Sequence, residues 1–375
     1  MRLLYFDHAA TTPVKKEVLE EMIPFFSDNY GNASSIYSIG RRSKKVINIA
    51  REKVSKAIGC EPKEIYFTSC GSESDNLAIK GVAKANIEKG KHIITSKIEH
   101  PAVLNTCKSL EKEGFEVTYL NVDENGFVDL EELKNSIRDD TVLISIMFAN
   151  NEIGTIQPIK EIAKIAKEKN VIFHTDCVQA VGNVKINVED MGIDLLSMSG
   201  HKFYGPKGVG ALYVKSEIQF EKIQDGGHQE RDKRAGTENV AGIVGLGKAI
   251  ELADCNLENY NSKLLKLRNF FVKEITDRYE NVKINGDLKK RLSGNINMSF
   301  PGIDGEELLL KLDGYGICAS AGSACSSGSS EPSHVLTAIG LDRNLIGGSL
   351  RITFGEQNTI EDVRYLIQTI RKIIG

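Results

Sequence analysis

No apolar run in this 375-residue sequence approaches the ~20 residues that a membrane-spanning helix needs, so no span is expected. Positive charge is not in surplus either. Lys and Arg number 48 against 51 Asp and Glu, a formal net charge of −3. With no basic tail, direct contact with nucleic acid is not expected. The seven cysteines include no Cys-x-x-Cys pair, and an odd number at irregular spacing argues against a disulfide framework and a zinc site. A signal-peptide apolar region is lacking, because Asp7 follows Met1-Arg-Leu-Leu-Tyr-Phe too soon. Internal repeats are lacking as well. These absences, with 41% hydrophobic and 26% charged residues, leave a reduced, cytoplasmic protein of about two domains as the expectation.

Short apolar runs alternate with helical patterns through the first two thirds of the chain. Strands are predicted at Glu64–Thr68, His92–Thr95, Val117–Leu120, Val142–Phe148, Val171–His174, Asp194–Met198 and Val209–Val214. In Pro158–Lys169 the residues Ile159, Ile162, Ala163 and Ala166 share one helical face. Such alternation predicts an α/β fold with a mainly parallel sheet covered by helices on both faces. Sheets of this kind bind ligands beyond the carboxyl ends of their strands. A long helical pattern at about Val244–Arg278 follows, then strands at Val282–Asn285 and Gly294–Phe300 and helices near Gly305–Asp313 and Ile360–Ile374. These describe a smaller α+β domain. The one low-complexity segment, Ala319-Ser-Ala-Gly-Ser-Ala-Cys-Ser-Ser-Gly-Ser-Ser330, has nothing large to anchor it, and its composition favours a mobile, solvated loop with an accessible thiol at Cys325.

Four strand ends carry residues that suit one chemistry. Lys202 closes Ser197-Met-Ser-Gly-His-Lys202, where a lysine can form a Schiff base with an aldehyde cofactor while Ser199 and His201 bind a phosphate. Asp176 follows the apolar Val171-Ile-Phe and can pair with a protonated pyridine nitrogen, the partner that pyridoxal phosphate needs as an electron sink. Gln179, three residues on, can reach the ring's phenolic oxygen. Gly71 and Ser72 open a helical pattern after another strand, as a phosphate cradle does. His100, soon after the strand ending at Thr95, can stack on a ring and relay protons. Taken singly, each has a plainer role: a solvated loop lysine, a helix N-cap for Asp176, a capping box at Ser72. Together they describe a pyridoxal-phosphate site.

The sequence closely resembles the cysteine desulfurases of the class V aminotransferase family, nearly from end to end. The motifs that carry the resemblance are Tyr5-Phe-Asp-His-Ala-Ala-Thr-Thr-Pro13, Thr68-Ser-Cys-Gly-Ser-Glu-Ser-Asp-Asn-Leu77, Glu99-His-Pro-Ala-Val-Leu104 and Asn150-Asn-Glu-Ile-Gly154. They continue with His174-Thr-Asp-Cys-Val-Gln179, Ser199-Gly-His-Lys202, Arg234-Ala-Gly-Thr-Glu-Asn239 and Ser323-Ala-Cys-Ser326. The resemblance implies a fold-type I enzyme with a seven-stranded sheet, a large domain over residues 14–255, and a small domain over 1–13 and 256–375 that carries the cysteine loop at about 319–333. By position it makes Lys202 the lysine that takes the cofactor's aldehyde, Asp176 the ring-nitrogen partner, Gln179 the donor to the phenolic oxygen and His100 the stacked base. Gly71, Ser72, Ser199 and His201 would hold the phosphate, and Thr237 would reach the phosphate of a neighbouring subunit, which implies a homodimer. Asn151 and Arg351 would stand near the substrate carboxylate, where a guanidinium fork gives bidentate recognition. Two departures stand out: Cys70 occupies a usual glycine position, and Asn32-Ala-Ser-Ser-Ile-Tyr37 lacks the usual Pro and His.

What the resemblance implies for chemistry is conversion of L-cysteine to alanine, with the sulfur left as a persulfide on Cys325. The lysine freed by substrate would act as general base, and His100 would relay protons. A Ser/Ala/Gly-rich cysteine segment resembles the branch with a long loop that hands sulfur directly to an acceptor protein, such as an iron–sulfur scaffold. There Cys325 would serve as a transient cluster ligand. Aminotransferases and selenocysteine lyases share the fold and are the nearest alternatives. The other cysteines have ordinary structural roles, and Cys318, in the apolar run Tyr315-Gly-Ile-Cys, is expected to be buried.

Overall fold

A computed structural model describes residues 3–321 and 332–375. The expected cysteine loop, including Cys325, lies largely outside the described residues. The strands run β1 (Leu4–Tyr5), β2 (Ile65–Thr68), β3 (His92–Ser96), β4 (Glu116–Leu120), β5 (Thr141–Ser145), β6 (Ile172–Asp176), β7 (Leu195–Ser199), β8 (Gly210–Val214), β9 (Lys283–Ile284), β10 (Asn295–Ser299), β11 (Ile317–Cys318) and β12 (Ser349–Thr353).

Seven of them form one sheet in the order β2-β8-β7-β6-β5-β3-β4. Only β8 runs against its neighbours, β2 and β7. The carboxyl ends of β2, β3, β5, β6 and β7 therefore meet on one edge. Central strands are buried on both faces, which is why they read as continuous apolar runs rather than alternating ones. In β8, Ala211 and Tyr213 face one apolar core while Leu212 and Val214 face the other. Helices Ser38–Ile58, Ile159–Glu168 and Val240–Cys255 fill the first core; Gly71–Ala85 and Pro101–Glu111 fill the second. The face predicted for Ile159, Ile162, Ala163 and Ala166 is the buried one.

A separate apolar core gathers around the antiparallel sheet β12-β10-β9 and the helices Leu257–Thr276, Gly305–Gly314 and Ile360–Ile374. Leu4 and Phe6 belong to it, because β1 pairs in parallel with β11 and Asp7 bridges Thr353. Two expectations need correction. The long helix at Val244–Arg278 is two helices, starting at Val240 under an Asn239 cap and broken at Asn256, a residue type that favours caps and turns over helix interiors. Cys318 is half-buried: β11 is two residues long, and Ile317 takes the core-facing position. Among the described residues, no helix is long and apolar enough to cross a membrane.

Candidate active site

At the carboxyl edge of the seven-stranded sheet lies a cavity of about 390 Å³. Gly71, Ser72, His100, Asn151, Asp176, Gln179, Ser199, His201, Lys202 and Arg351 all line it. The fold explains the convergence: each of these except Arg351 ends a strand of one sheet or follows it within a few residues.

Lys202 lies in the single helical turn after β7, and its Nζ donates to the carbonyl oxygens of Ala9 and, at 2.8 Å, Ala10. The N-terminal segment is laced along this turn. Thr12 donates its backbone N–H at 3.0 Å and its hydroxyl at 2.9 Å to the His201 carbonyl, and His201 Nδ1 lies 3.0 Å from the Thr11 hydroxyl. Burial, helped by Lys202 and Lys207, pushes the His201 ring down to about 4. A neutral imidazole is therefore available beside Ser199 as a hydrogen-bonding group.

Asp176 is buried at the end of β6 and accepts the Val178 N–H at 2.8 Å. No helix starts there, so this is a turn contact and not the helix N-cap open to it in the sequence, and it engages only Oδ1. Burial pushes its carboxyl up, while the His100 imidazole in its protonated form, the Val178 N–H and the Lys202 charge act the other way. Gln179 donates to the Ala9 carbonyl at 3.0 Å. Gly71 starts the helix Gly71–Ala85, and a Cβ there would lie 2.6 Å from Val178 Cγ2, so the cradle backbone and the Asp176 loop approach closely only with glycine.

His100 caps the helix Pro101–Glu111, its Nδ1 accepting the Ala102 N–H at 3.1 Å. The neutral ring thus carries its proton on Nε2. Burial lowers its pKa, and Lys202 and His334 act the same way against Asp176. Glu99, wholly buried beside it, accepts from Ser96 Oγ and Met147 N–H, and burial pushes it up to about 8.

Arg351 comes from β12 and is 1% exposed. Its Nη1 donates to the Asn151 carbonyl at 3.1 Å and its Nη2 to Asp7 Oδ1 at 2.7 Å. Its Nε is buried and makes no hydrogen bond among the described residues. Thr237 is exposed and does not line the cavity. Cys325 lies outside the described residues. On either side of it in sequence, Ser320 pairs with Arg351 through both backbone hydrogen bonds, Ser333 Oγ donates to Glu152 at 2.6 Å, and His334 Nε2 lies 2.9 Å from the Glu99 carbonyl. No group of residues suited to a metal ion occurs among the described residues.

Sequence reading missed the carbonyls of Ala9 and Ala10, the partner Asp7 and the buried Asp75, all within quoted motifs but assigned no role. Their signal is tertiary. Pyridoxal phosphate fits what is present: a cavity of suitable size, an amine, a buried carboxylate, a helix start shaped by glycine, and neutral histidines.

The family described as aminotransferase class-V matches residues 4–366. A protein of Clostridium botulinum (strain Hall) named cysteine desulfurase IscS is 60% identical over 373 residues, 99% of this chain and 94% of that protein. The solved structure of a NifS-like protein superposes with a TM-score of 0.94 at 41% identity, covering 100% of this chain and 99% of the other. A structure of SspA in complex with cysteine gives 0.83 at 39% identity, covering 95% and 100%.

Proposed function

This chain belongs to the class-V aminotransferase family and is a pyridoxal-phosphate-dependent cysteine desulfurase, and from that premise we propose which of its residues do the work. The observation that carries the assignment is the convergence of Lys202, Asp176, His100 and the Gly71–Ser72 cradle on one cavity at one sheet edge, with Arg351 facing them.

Pyridoxal phosphate, when bound, supplies an electron sink next to the α-carbon of L-cysteine. Lys202 would hold it through the aldehyde, and its amine, when free, would move the proton at the α-carbon. Asp176 binds the ring nitrogen and Gln179 the phenolic oxygen. Gly71, Ser72, Ser199 and His201 hold the phosphate. Asn151 and Arg351, which both line the cavity, orient the substrate carboxylate. Cys325, as thiolate, attacks the substrate sulfur. An S–S bond forms, the Cβ–S bond breaks, and the β-carbon takes the electron pair and a proton to leave as alanine. His100, with its proton on Nε2, relays protons to and from the sulfur and carbon atoms.

Residues 14–255 serve as the cofactor-binding unit, and residues 1–13 with 256–375 as the unit carrying Cys325. A homodimer is supported by the apolar side chains left uncovered at Phe26, Tyr30 and Ile36, which are 66%, 71% and 88% exposed, and by the exposed position of Thr237, the residue offered to a second copy's phosphate. The sulfur acceptor is a protein such as an iron–sulfur scaffold, with Cys325 as its transient metal ligand, in a reducing cytoplasm. The testing experiment is Cys325→Ala with L-cysteine as substrate. Alanine and sulfide formation in the presence of thiol should fall at least ~100-fold while the holoenzyme keeps its visible band. Unchanged sulfur release would remove Cys325 from the reaction.

A further inference from the structure

The cavity lining contains a second carboxyl side chain, Asp75, which the mechanism above does not use. It comes from the helix Gly71–Ala85, four residues beyond the cradle glycine, and is 1% exposed. Beneath it runs a polar row across the sheet. Strand alternation puts His174 and Asp176 on the same face of β6. The register sets Ser145 of β5 opposite His174 and Ser197 of β7 opposite Asp176. His174 Nδ1 lies 2.8 Å from Ser145 Oγ and its Nε2 lies 3.0 Å from Ser197 Oγ, with Asp75 Oδ1 3.7 Å from the same Nε2.

Two buried carboxyl groups lining one cavity do not readily ionise together. Their surroundings decide where the negative charge goes. Asp176 has a backbone N–H on Oδ1 and the Lys202 ammonium nearby. Asp75 Oδ1 has no hydrogen-bond partner among the described residues, and the nearest basic group, His174, is wholly buried with its ring pushed down to about 3. Glu99, Cys70 and Cys177 also stand near Asp75 and would add no positive charge, while Lys202 and His100 line the same cavity and act on Asp176. Burial first and Asp176 second push the Asp75 carboxyl well up, against the Ser197 hydroxyl.

We propose that Asp75 is a positioning residue for Asp176: as a neutral acid set against the Ser145–His174–Ser197 row, it leaves Asp176 as the carboxylate presented to the ring nitrogen. The proposal rests on the assignment of Asp176 as ring partner.

The test compares Asp75→Asn and Asp75→Ala in protein reconstituted with pyridoxal phosphate, reading the pH midpoint of the visible absorption band and the cofactor dissociation constant. The amide is an isostere of the neutral acid, so Asp75→Asn should hold the midpoint within about 0.3 units and the constant within about twofold. Asp75→Ala removes the carboxyl group altogether and should weaken cofactor binding about tenfold. A midpoint displaced by about one unit or more in Asp75→Asn would show an ionised Asp75 and overturn the proposal, as would an Asp75→Ala protein that binds cofactor like the parent. Should Asp75→Ala fail to fold, the Asp75→Asn midpoint decides alone. Asp176→Asn separates the premise: if it leaves band and affinity unchanged, the assignment of Asp176 is what has failed.

Discussion

The two ends of the cavity are built differently. The cofactor end draws on strand ends of a single sheet, so hydrogen-bond register fixes where Asp176, Ser199 and the turn bearing Lys202 stand. The substrate end is assembled from three distant segments: Arg351 on β12, Asn151 after β5 and Asp7 after β1, tied by the 3.1 Å and 2.7 Å hydrogen bonds of one guanidinium. The first end is a property of one sheet. The second depends on how the small core packs against the large one, and Arg351 joins the two. Cofactor binding and substrate recognition should therefore be separable by mutation.

Lys202→Ala gives the largest expected effect, since it removes both the cofactor's anchor and the base at the α-carbon. Alanine formation from L-cysteine should fall by at least ~10³-fold and the visible band of the holoenzyme should disappear. Turnover within tenfold of the parent would place the base elsewhere.

Arg351→Lys separates the two ends most directly. Lysine keeps the charge but not the fork, so KM for L-cysteine should rise about 10- to 100-fold while cofactor affinity stays within about twofold. A parallel loss of cofactor affinity would show that the ends are not independent.

The smallest effect is on stability, and it concerns the buried groups of the cofactor end. Burial takes His174 from its ordinary 6.5 to about 3, so as pH falls below about 6.5 the unfolded chain binds a proton that the folded chain refuses. Its contribution to stability is lost across that window, at up to ~1.4 kcal/mol per pH unit. Glu99 acts in the opposite direction. Its carboxyl is taken from 4.5 to about 8, so the unfolded chain releases a proton that the folded chain keeps, and stability is lost as pH rises from about 4.5 to about 8. Thermal midpoints of the cofactor-free protein against pH check both: His174→Asn should flatten the acid limb and Glu99→Gln the neutral-to-alkaline limb. Unaltered slopes would mean that neither group titrates differently on unfolding.

Much of this was legible in one dimension. The seven strands of the main sheet were found because buried parallel strands are short continuous apolar runs, and the ligand edge followed from the fold class. Lys202, Asp176, His100 and Gly71 were singled out because each follows such a run, and the structure brings all four to one cavity. The break at Asn256 was missed because the apolar pattern continues through it, with Leu257 facing inward on the far side. Asp7 and the carbonyls of Ala9 and Ala10 were missed for a different reason. A backbone carbonyl has no residue-type signal, and Asp7 gains meaning only from an arginine 344 positions away.

What the sequence determined by itself is the set of reactive groups and the edge they occupy, because strand periodicity and residue chemistry are local properties. The folded chain decided their state. Whether Asp176 or Asp75 is ionised, which nitrogen of His100 bears the proton and which bonds hold Arg351 all depend on groups brought together from remote segments. Burial and charge act through space rather than along the chain, so these properties exist only once the cavity has formed.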